Sequence, residues 1–323
     1  GQPNAGRGAR LVKRPGRGLV CGRRTVEELT RHQFSSLMHE WVAQIQEWRR
    51  LRDWLEAMVA AGVAPNVGAF MGGGTLRTIA KGYDMGQPTP DELALMQRVM
   101  AETMEDGAFG VSMALIYPPS AYTDTAEIIE IAKVVGQYGG LYITHLRSEA
   151  DDFLAALDEA MGIGRAAGVP VEIYHLKAAG KRNWPKMTQA IARINRARQE
   201  GLDITADLYP YVAGGTGLAS VLPPWAAEGN RLLENLLDPA TRARIRAEAL
   251  DPAGDWEALA ALCGPEGVMP IGLQNPDNQA YVGKSLAEIG ALRDQLWVDA
   301  AIDLFLSEAQ RISALYFLSL IHI

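Results

Sequence analysis

The clearest indication of the fold is a sequence pattern that occurs twice, in LYITHLRSE at residues 141–149 and in VEIYHLK at residues 171–177. Each segment is an apolar, β-prone run that ends in a histidine, and a cation follows two positions later. The two runs begin roughly 30 residues apart, which is the length of a strand together with the helix that follows it. The repeat therefore predicts successive parallel strands joined by helices.

Apolar runs of this kind recur along the chain, and helix-start signals lie between them. The runs are Asn66–Phe70, Ala108–Ser112, Leu141–Thr144, Val169–Tyr174 and Asp203–Asp207. Thr89, Pro90 and Glu92 combine an N-cap, a first-turn proline and a capping-box glutamate. Asp124 and Glu127 repeat the capping-box spacing. Because the runs are mostly apolar rather than alternating, they are typical of parallel strands buried on both faces, and they predict the α/β class.

Five strand–helix units fit either a doubly wound sheet or part of a barrel. The sequence has no Gly-x-Gly-x-x-Gly after a strand, and the triple glycine at 72–74 lacks the Lys-Ser/Thr of a phosphate loop. Polar residues stand at the carboxyl ends of the predicted strands, where barrel enzymes carry their active sites. We therefore expect an incomplete (β/α)₈ TIM-type barrel in residues 25–317. Beyond the fifth run the pattern predicts helical regions at 231–248, 256–263 and 285–307, and a loop at 264–283.

Composition excludes several classes of protein. The chain has 323 residues, 48% hydrophobic and 21% charged, as in globular domains. A net charge of −7 argues against a general nucleic-acid partner. No run approaches the ~20 apolar residues of a membrane span, so we expect no membrane partner. The two cysteines, Cys21 and Cys263, predict no disulfide framework and indicate a cytoplasmic location. The oligomeric state is left open.

The two ends of the chain differ from its middle. Residues 1–24 contain seven basic residues and no acidic one, which predicts a disordered or out-of-frame leader. Residues 25–61 follow with helical periodicity. The final six residues, 318–323, are predicted to be a non-native tail. We therefore interpret the chain as an internal fragment of a longer protein.

His145 and His175 are the candidate metal ligands. Adjacent strands lie ~4.8 Å apart, so imidazoles at the ends of neighbouring strands can reach one ion, and zinc binds imidazole readily. The alternative is that each is a hydrogen-bonded core histidine. His32 and His39 lie on the predicted N-terminal helix and are interpreted as surface or packing residues. Cys21 is a possible thiolate ligand.

Two further residue types at strand ends have more than one interpretation. Asp207 could be a general base or a carboxylate that accepts hydrogen bonds from loop amides. Tyr209 and Tyr211 could donate to a substrate carboxylate or cover the rim of the barrel. The residues alone do not choose between these readings.

Seven ordered blocks together resemble the N-acyl-D-amino-acid deacylases (D-aminoacylases) of the amidohydrolase superfamily, over roughly 62–317. The blocks are Gly72–Arg77, Gly107–Ser112 with Leu115–Pro119, Tyr142–Glu149, His175–Lys177, Asp207–Tyr211, Leu222–Trp225 and Gly283–Ile289. The resemblance implies a metal-dependent barrel that hydrolyses the amide bond of N-acyl-D-amino acids with Zn²⁺. It places His145 and His175 on the zinc-binding histidines.

The resemblance also implies a substrate site. Tyr117, Lys177 and Tyr209 fall on positions that hold the substrate's carboxylate and amide, and Arg147 stands where it could steer an anionic substrate. The family's His-x-His pair is not present in this sequence, and its general-base aspartate is expected beyond the C-terminus. We therefore expect the fragment itself to be inactive.

Two alternative functions remain open at this point. The first is a cyclic amidohydrolase like hydantoinase or dihydroorotase; those enzymes carry a lysine on strand four, and residues 108–115 contain none. The second is a non-catalytic truncated barrel.

Overall fold

The computed structural model describes residues 48–252, 256–309 and 312–318. The predicted leader, most of the predicted N-terminal helix, Cys21, and both His32 and His39 lie outside these ranges. So does the predicted tail except for Leu318. Within the described ranges, no helix is both long enough and apolar enough to cross a membrane.

Strands and helices alternate in the first part of the described chain. The strands are β1 (Met71–Gly72), β2 (Gly110–Ala114), β3 (Leu141–His145), β4 (Val171–Ile173) and β5 (Ile204–Ala206). The helices are α1 (Leu51–Ala60), α2 (Gly73–Ala80), α3 (Pro90–Glu105), α4 (Thr125–Gln137), α5 (Phe153–Ala167) and α6 (Lys186–Gln199). This alternation confirms the α/β class predicted from the sequence.

The five strands form one sheet in which each strand pairs in parallel with the next along the chain, in the order β1-β2-β3-β4-β5. A doubly wound sheet reverses its strand order at a switch point, whereas a barrel adds strands in sequence. Within the described residues the order has no reversal. The sheet therefore has the strand order of a barrel sector.

The first strand was predicted in the wrong place. The run Asn66–Phe70 was expected to be a strand, but β1 lies just after it, at Met71–Gly72, where it pairs with Val111 and Ser112. Val67 and Ala69 instead pack with Trp54 in a small apolar cluster. Packing against α1 therefore accounts for the apolar character of this run.

The predicted loop at 264–283 was also wrong in part, because it contains a strand. A second sheet consists of β6 (Gly214–Gly217), β7 (Val268–Ile271) and β8 (Ser313–Tyr316), with β8 in the centre and both neighbours antiparallel to it. The helices in this part of the chain are α7 (Leu232–Leu237), α8 (Pro239–Leu250), α9 (Leu259–Cys263), α10 (Leu286–Leu292) and α11 (Trp297–Glu308).

The predicted helix starts are confirmed where the signal is local. Thr89 caps α3, and Glu92 completes the capping box: the Thr89 backbone N–H donates to the Glu92 carboxylate at 2.7 Å. Asp124 caps α4 by accepting from the Glu127 backbone N–H at 2.8 Å. Both caps satisfy N–H groups that would otherwise lack partners at the start of a helix.

A buried ion pair ties α2 to α4. Arg77 Nη1 lies 2.6 Å from Glu127 Oε2, and both side chains are almost fully buried. Arg77 Nη2 also donates to the backbone carbonyls of Asp84 and Gly86. Burial raises the pKa of Glu127, and the Arg77 charge opposes that rise. The pair fixes the first turn of α4 against the segment that follows α2.

Two large apolar clusters make up the core. One packs the parallel sheet against helices α3 to α6, and the other surrounds β8 and α11. Residues from both sheets line the cavity at the carboxyl ends of β3 and β4, so the cavity lies where the two clusters meet.

Candidate metal centre

His145 and His175 lie side by side at the carboxyl ends of neighbouring strands. His145 is the last residue of β3, and His175 follows the end of β4 by two residues. Their ring centroids are 4.7 Å apart, with the ring planes at 80°. Both rings line a cavity of about 90 Å³. The structure thus brings together the two imidazoles predicted to share an ion.

The hydrogen bonds of His145 define its tautomer. Its Nδ1 lies 2.8 Å from the carbonyl oxygen of Leu146, so Nδ1 carries the hydrogen and donates it. Burial lowers the pKa of His145 to about 4, although the neighbouring Glu149 opposes this. The ring is therefore neutral at pH 7, and its Nε2 lone pair faces Glu149 Oε2 at 3.5 Å. Two acceptors that face each other in this way favour a cation between or beside them.

His175 is held by its backbone in an unusual conformation. Its φ is +38°, a region that residues other than glycine rarely adopt. The His175 backbone N–H donates to the Asp207 carboxylate, and the Leu176 backbone N–H donates to the Asp207 carbonyl oxygen at 2.8 Å. Of the two interpretations of Asp207, the structure shows the second: its carboxylate accepts from a loop amide.

Glu149 is a central residue that the sequence analysis did not select. It is 4% exposed, and its carboxylate lies 3.0 Å from His175 Nδ1 and 2.6 Å from Lys177 Nζ. Burial alone would raise its pKa, but His145 and Lys177 outweigh burial and lower it to about 2. A signal was available, because Glu149 ends the same segment that contains His145, four positions later.

The three side chains form a suitable donor set for a metal ion. One ligand atom from each of His145, Glu149 and His175 lies within 4.8 Å of the others. Two imidazoles and one carboxylate are ligands that zinc takes in catalytic sites with an open position. The residues present therefore fit a zinc ion.

Lys177 contacts the same acceptors. Its Nζ is 2.8 Å from His175 Nδ1, 2.6 Å from Glu149 and 5.6 Å from the centroid of the Tyr209 ring. The ammonium therefore neutralises the Glu149 carboxylate in this structure. A metal ion and the ammonium would share the lone pairs of Glu149 and His175.

The two predicted tyrosines flank the histidines. The Tyr117 ring centroid lies 5.5 Å from that of His145, and the Tyr209 ring centroid lies 6.2 Å from that of His175. Both tyrosines line the cavity. Burial raises the pKa of Tyr117, so its phenol keeps its proton and can donate it in a hydrogen bond. Tyr211 stacks on Tyr209 but is 66% exposed.

Arg147 lies apart from this group. Its Nε and Nη2 lie 2.9 and 2.8 Å from the Glu159 carboxylate, and Nη2 also donates to the Thr123 carbonyl oxygen at 2.9 Å. Arg147 lines a second cavity and is not among the residues around the first one. The structure thus brings Tyr117, Lys177 and Tyr209 to the histidines, but not Arg147.

The second cavity adjoins the first and shares Ile116 and Tyr117 with it. Its volume is about 360 Å³. Glu257 lies in its wall, and Glu257 Oε2 accepts from the Glu149 backbone N–H at 2.6 Å and from Ser148 Oγ at 3.0 Å. Burial, with the charge of Glu149, raises the pKa of Glu257 to about 7. Sequence analysis missed Glu257, since no motif surrounds it.

The strand order and the cluster at the strand ends define an α/β protein with a candidate metal centre at the carboxyl ends of its parallel strands, and comparison with known proteins makes this class more specific. No family model matches the chain. A D-aminoacylase of Alcaligenes xylosoxydans xylosoxydans is 37% identical over 171 residues, which are 53% of this chain and 35% of that protein. An N-acyl-D-glutamate deacylase of the same organism is 36% identical over 151 residues, 47% of this chain and 31% of that protein.

Solved structures agree with the sequence comparisons. An N-acyl-D-glutamate deacylase from Bordetella bronchiseptica, complexed with zinc and a phosphonate inhibitor, has a TM-score of 0.65 and 25% identity. The match covers 87% of this chain and 50% of that one. A crystal structure of D-aminoacylase has a TM-score of 0.61 and 29% identity, covering 83% and 47% of the two chains.

These findings confirm the resemblance to the N-acyl-D-amino-acid deacylases of the amidohydrolase superfamily. The sequence matches cover about a third of the curated relatives' length, and the structural matches about half.

Proposed function

We propose that this chain is part of an enzyme that uses zinc to hydrolyse the amide bond of N-acyl-D-amino acids. The observation that carries the proposal is the donor set of His145, Glu149 and His175 at adjoining strand ends. The relatives named as deacylases of such substrates support it. So does the similar structure that contains zinc and a phosphonate described as a mimic of the tetrahedral intermediate.

The roles of His145 and Glu149 follow from their protonation. A zinc ion in such a site polarises a carbonyl and makes a bound water more acidic. His145 is neutral, and its Nδ1–H bond to the Leu146 carbonyl orients Nε2 toward the cavity. Glu149 supplies a negative charge that offsets part of the charge of a dication.

The other cavity residues suit the rest of the substrate. An N-acyl amino acid is an anion that contains a neutral amide. The Lys177 ammonium would bind its carboxylate by a charge-assisted hydrogen bond. Tyr117 and Tyr209 are phenol donors on either side of the histidines, positioned to bind the amide and the carboxylate oxygens.

Zinc titration of the 323-residue chain tests the proposal. We expect one zinc ion bound per chain, and we expect His145→Ala and His175→Ala each to weaken binding by more than about 100-fold, since each removes one of three donors. Glu130→Ala is the control, because it removes a carboxylate on α4 that is not part of the cluster. Full zinc affinity in both cavity variants would contradict the proposed metal site.

Hydrolysis of N-acetyl-D-amino acids tests the reaction itself. The assay is run with this chain and with the longest gene product that contains it, before and after treatment with a chelator. We expect turnover in the longer product that a chelator abolishes and added zinc restores. Turnover that persists without metal would refute the proposed role of zinc.

A further inference from the structure

The backbone of Glu149 is held by hydrogen bonds on both of its polar groups. Its N–H donates to Glu257 Oε2 at 2.6 Å, and its carbonyl oxygen accepts from the Ala179 backbone N–H at 2.7 Å. Neither of these contacts uses an oxygen of the Glu149 carboxylate. The backbone is therefore fixed, while the carboxylate remains available to the metal centre.

Glu257 accepts three hydrogen bonds from one short loop. Its Oε2 lies 3.0 Å from Ser148 Oγ, 2.6 Å from the Glu149 backbone nitrogen and 3.1 Å from the Ala150 backbone nitrogen. The direction of the first bond is fixed, because Ser148 Oγ already accepts from the backbone N–H groups of Ala150 and Asp152 and has one hydrogen to donate. One carboxylate oxygen thus binds three consecutive residues, and Glu149 is the middle one.

Glu257 belongs to a distant part of the chain. It lies 108 residues after Glu149 and just before α9, whose first residues, Leu259 and Ala260, are buried in the second apolar cluster. Ala150 is buried in the same cluster. Packing of α9 therefore fixes the Glu257 carboxylate, which connects the second cluster to a candidate metal ligand that follows β3.

We propose that Glu257 is a positioning residue for the metal centre and that it acts through the backbone of Glu149. Without the Glu257 carboxylate, the donors of residues 148–150 lose their shared acceptor, and a buried donor without an acceptor is costly. The loop then turns until these donors find other partners, and the Glu149 side chain moves with it. Groups that orient metal ligands affect the affinity of the site. The assignment rests on the proposed function, because it takes Glu149 as a zinc ligand.

Lys177 does not supply the same support. Its Nζ lies 2.6 Å from the Glu149 carboxylate and 2.8 Å from His175 Nδ1, so it contacts the atoms that a metal ion needs. A metal ion and the ammonium compete for these atoms. The contacts of Glu257 are to the backbone and to a hydroxyl, so they persist whatever the Glu149 carboxylate binds.

Calorimetric zinc titration of Glu257 variants tests the role. Glu257→Ala removes the acceptor, and we expect zinc affinity to fall by about 10- to 100-fold. Glu257→Gln keeps a carbonyl oxygen for the same three donors without the charge, so its zinc affinity should stay close to that of the parent. Glu248→Ala is the matched control, because it removes another half-buried carboxylate that accepts an N–H, that of Trp225 Nε1 at 2.8 Å. Zinc affinity should not change in this control.

Cobalt(II) in place of zinc gives a spectroscopic readout that a loss of stability alone would not change. Its visible absorption depends on the number and geometry of its ligands. We expect Glu257→Ala to alter the absorption of the bound cobalt, because the Glu149 carboxylate is displaced, and Glu257→Gln to retain the parent spectrum. The parent spectrum in Glu257→Ala would contradict the positioning role.

The outcomes separate this inference from the proposed function. If the parent binds zinc and Glu257→Ala binds it equally well, the positioning role is wrong and the metal site is not. An equal loss in Glu257→Gln would assign the effect to charge, and an equal loss in Glu248→Ala would make it unspecific, so either result also overturns the role. A parent chain that binds no zinc overturns both proposals.

Thermal unfolding shows whether Glu257→Ala is folded. If it is not, Glu257→Asp takes its place, because it keeps the charge and withdraws the acceptor by one methylene group. We expect Glu257→Asp to lose zinc affinity while Glu257→Gln retains it. Parent affinity in Glu257→Asp would overturn the positioning role.

Discussion

Two regions of the molecule bury a glutamate against a cation at the same distance, yet they differ in what surrounds the pair. Arg77 Nη1 lies 2.6 Å from Glu127, and Lys177 Nζ lies 2.6 Å from Glu149. Arg77 also donates to two backbone carbonyls, whereas the Glu149 carboxylate also lies close to ring nitrogens of His145 and His175. Burial raises the pKa of Glu127, while in Glu149 the neighbouring charges outweigh burial and lower it.

The comparison shows that a buried ion pair does not by itself indicate a functional site. In the Arg77–Glu127 pair the additional contacts of the cation are to backbone acceptors that hold a turn. In the Glu149 cluster one ligand atom from each of three side chains converges with the others beside a cavity. Convergent metal-ligand atoms beside a cavity are the feature that predicts a cation ligand.

The largest effect on stability is expected at the Arg77–Glu127 pair. Arg77→Ala should lower the free energy of unfolding by about 3–5 kcal/mol, because it leaves the buried Glu127 charge uncompensated. Zinc affinity of the folded fraction should not change. Denaturant unfolding with zinc titration measures both. The double variant Arg77→Met with Glu127→Leu is the control, because it removes both charges. If its free energy of unfolding falls as far as that of Arg77→Ala, packing rather than charge is responsible.

Glu149→Gln should have its main effect on the metal. The substitution keeps the shape of the side chain and removes its charge, so we expect zinc affinity to fall by about 10- to 100-fold, the range seen when groups that tune a metal site are changed. Calorimetric zinc titration measures this. Glu127→Gln, the equivalent change at the other pair, should leave zinc affinity unaltered; an equal loss in both would remove the distinction between the two regions.

The two glutamates should also respond to acid in opposite directions. The pKa of Glu149 is lowered on folding, so its contribution is present above the unfolded value near 4.5 and is lost as the pH falls toward 2. The raised pKa of Glu127 has the reverse effect, with stability gained on acidification. From pH 5 to pH 3, the free energy of unfolding of the metal-free chain should therefore fall by on the order of 2 kcal/mol less in Glu149→Gln than in the parent. A steeper loss in that variant would contradict the assignment.

The smallest effect on stability is expected at an exposed ion pair with the same N···O distance. Arg182 Nη2 lies 2.6 Å from Asp151 Oδ2, but both side chains are more than half exposed. Arg182→Gln should change the free energy of unfolding by less than about 1 kcal/mol, because water screens the pair and competes for its hydrogen bonds. Denaturant unfolding in low and high salt measures it. A loss near that of Arg77→Ala would show that distance, not burial, determines the strength of these pairs.

Local signals predicted part of the fold and of the site. The caps at Thr89 and Asp124 depend on residues three positions away, and both were predicted. The approach of His145 and His175 could be predicted because successive parallel strands are neighbours. The antiparallel sheet could not, since β6 pairs with β8 about a hundred residues later and neither strand alternates clearly. Glu257 was missed for the same reason: it meets Glu149 from 108 residues away.

The backbone of His175 affects how any variant at that position should be interpreted. At a φ of +38° an alanine keeps the steric cost of a β-carbon but loses the ring, whereas a glycine loses both. His175→Gly is thus expected to be the more stable of the two, although both lose one of the three metal donors. The difference in melting temperature between them reports the conformational cost of a β-carbon at this φ. Selection for stability alone would favour glycine at this φ, so the histidine indicates selection for what its ring can bind.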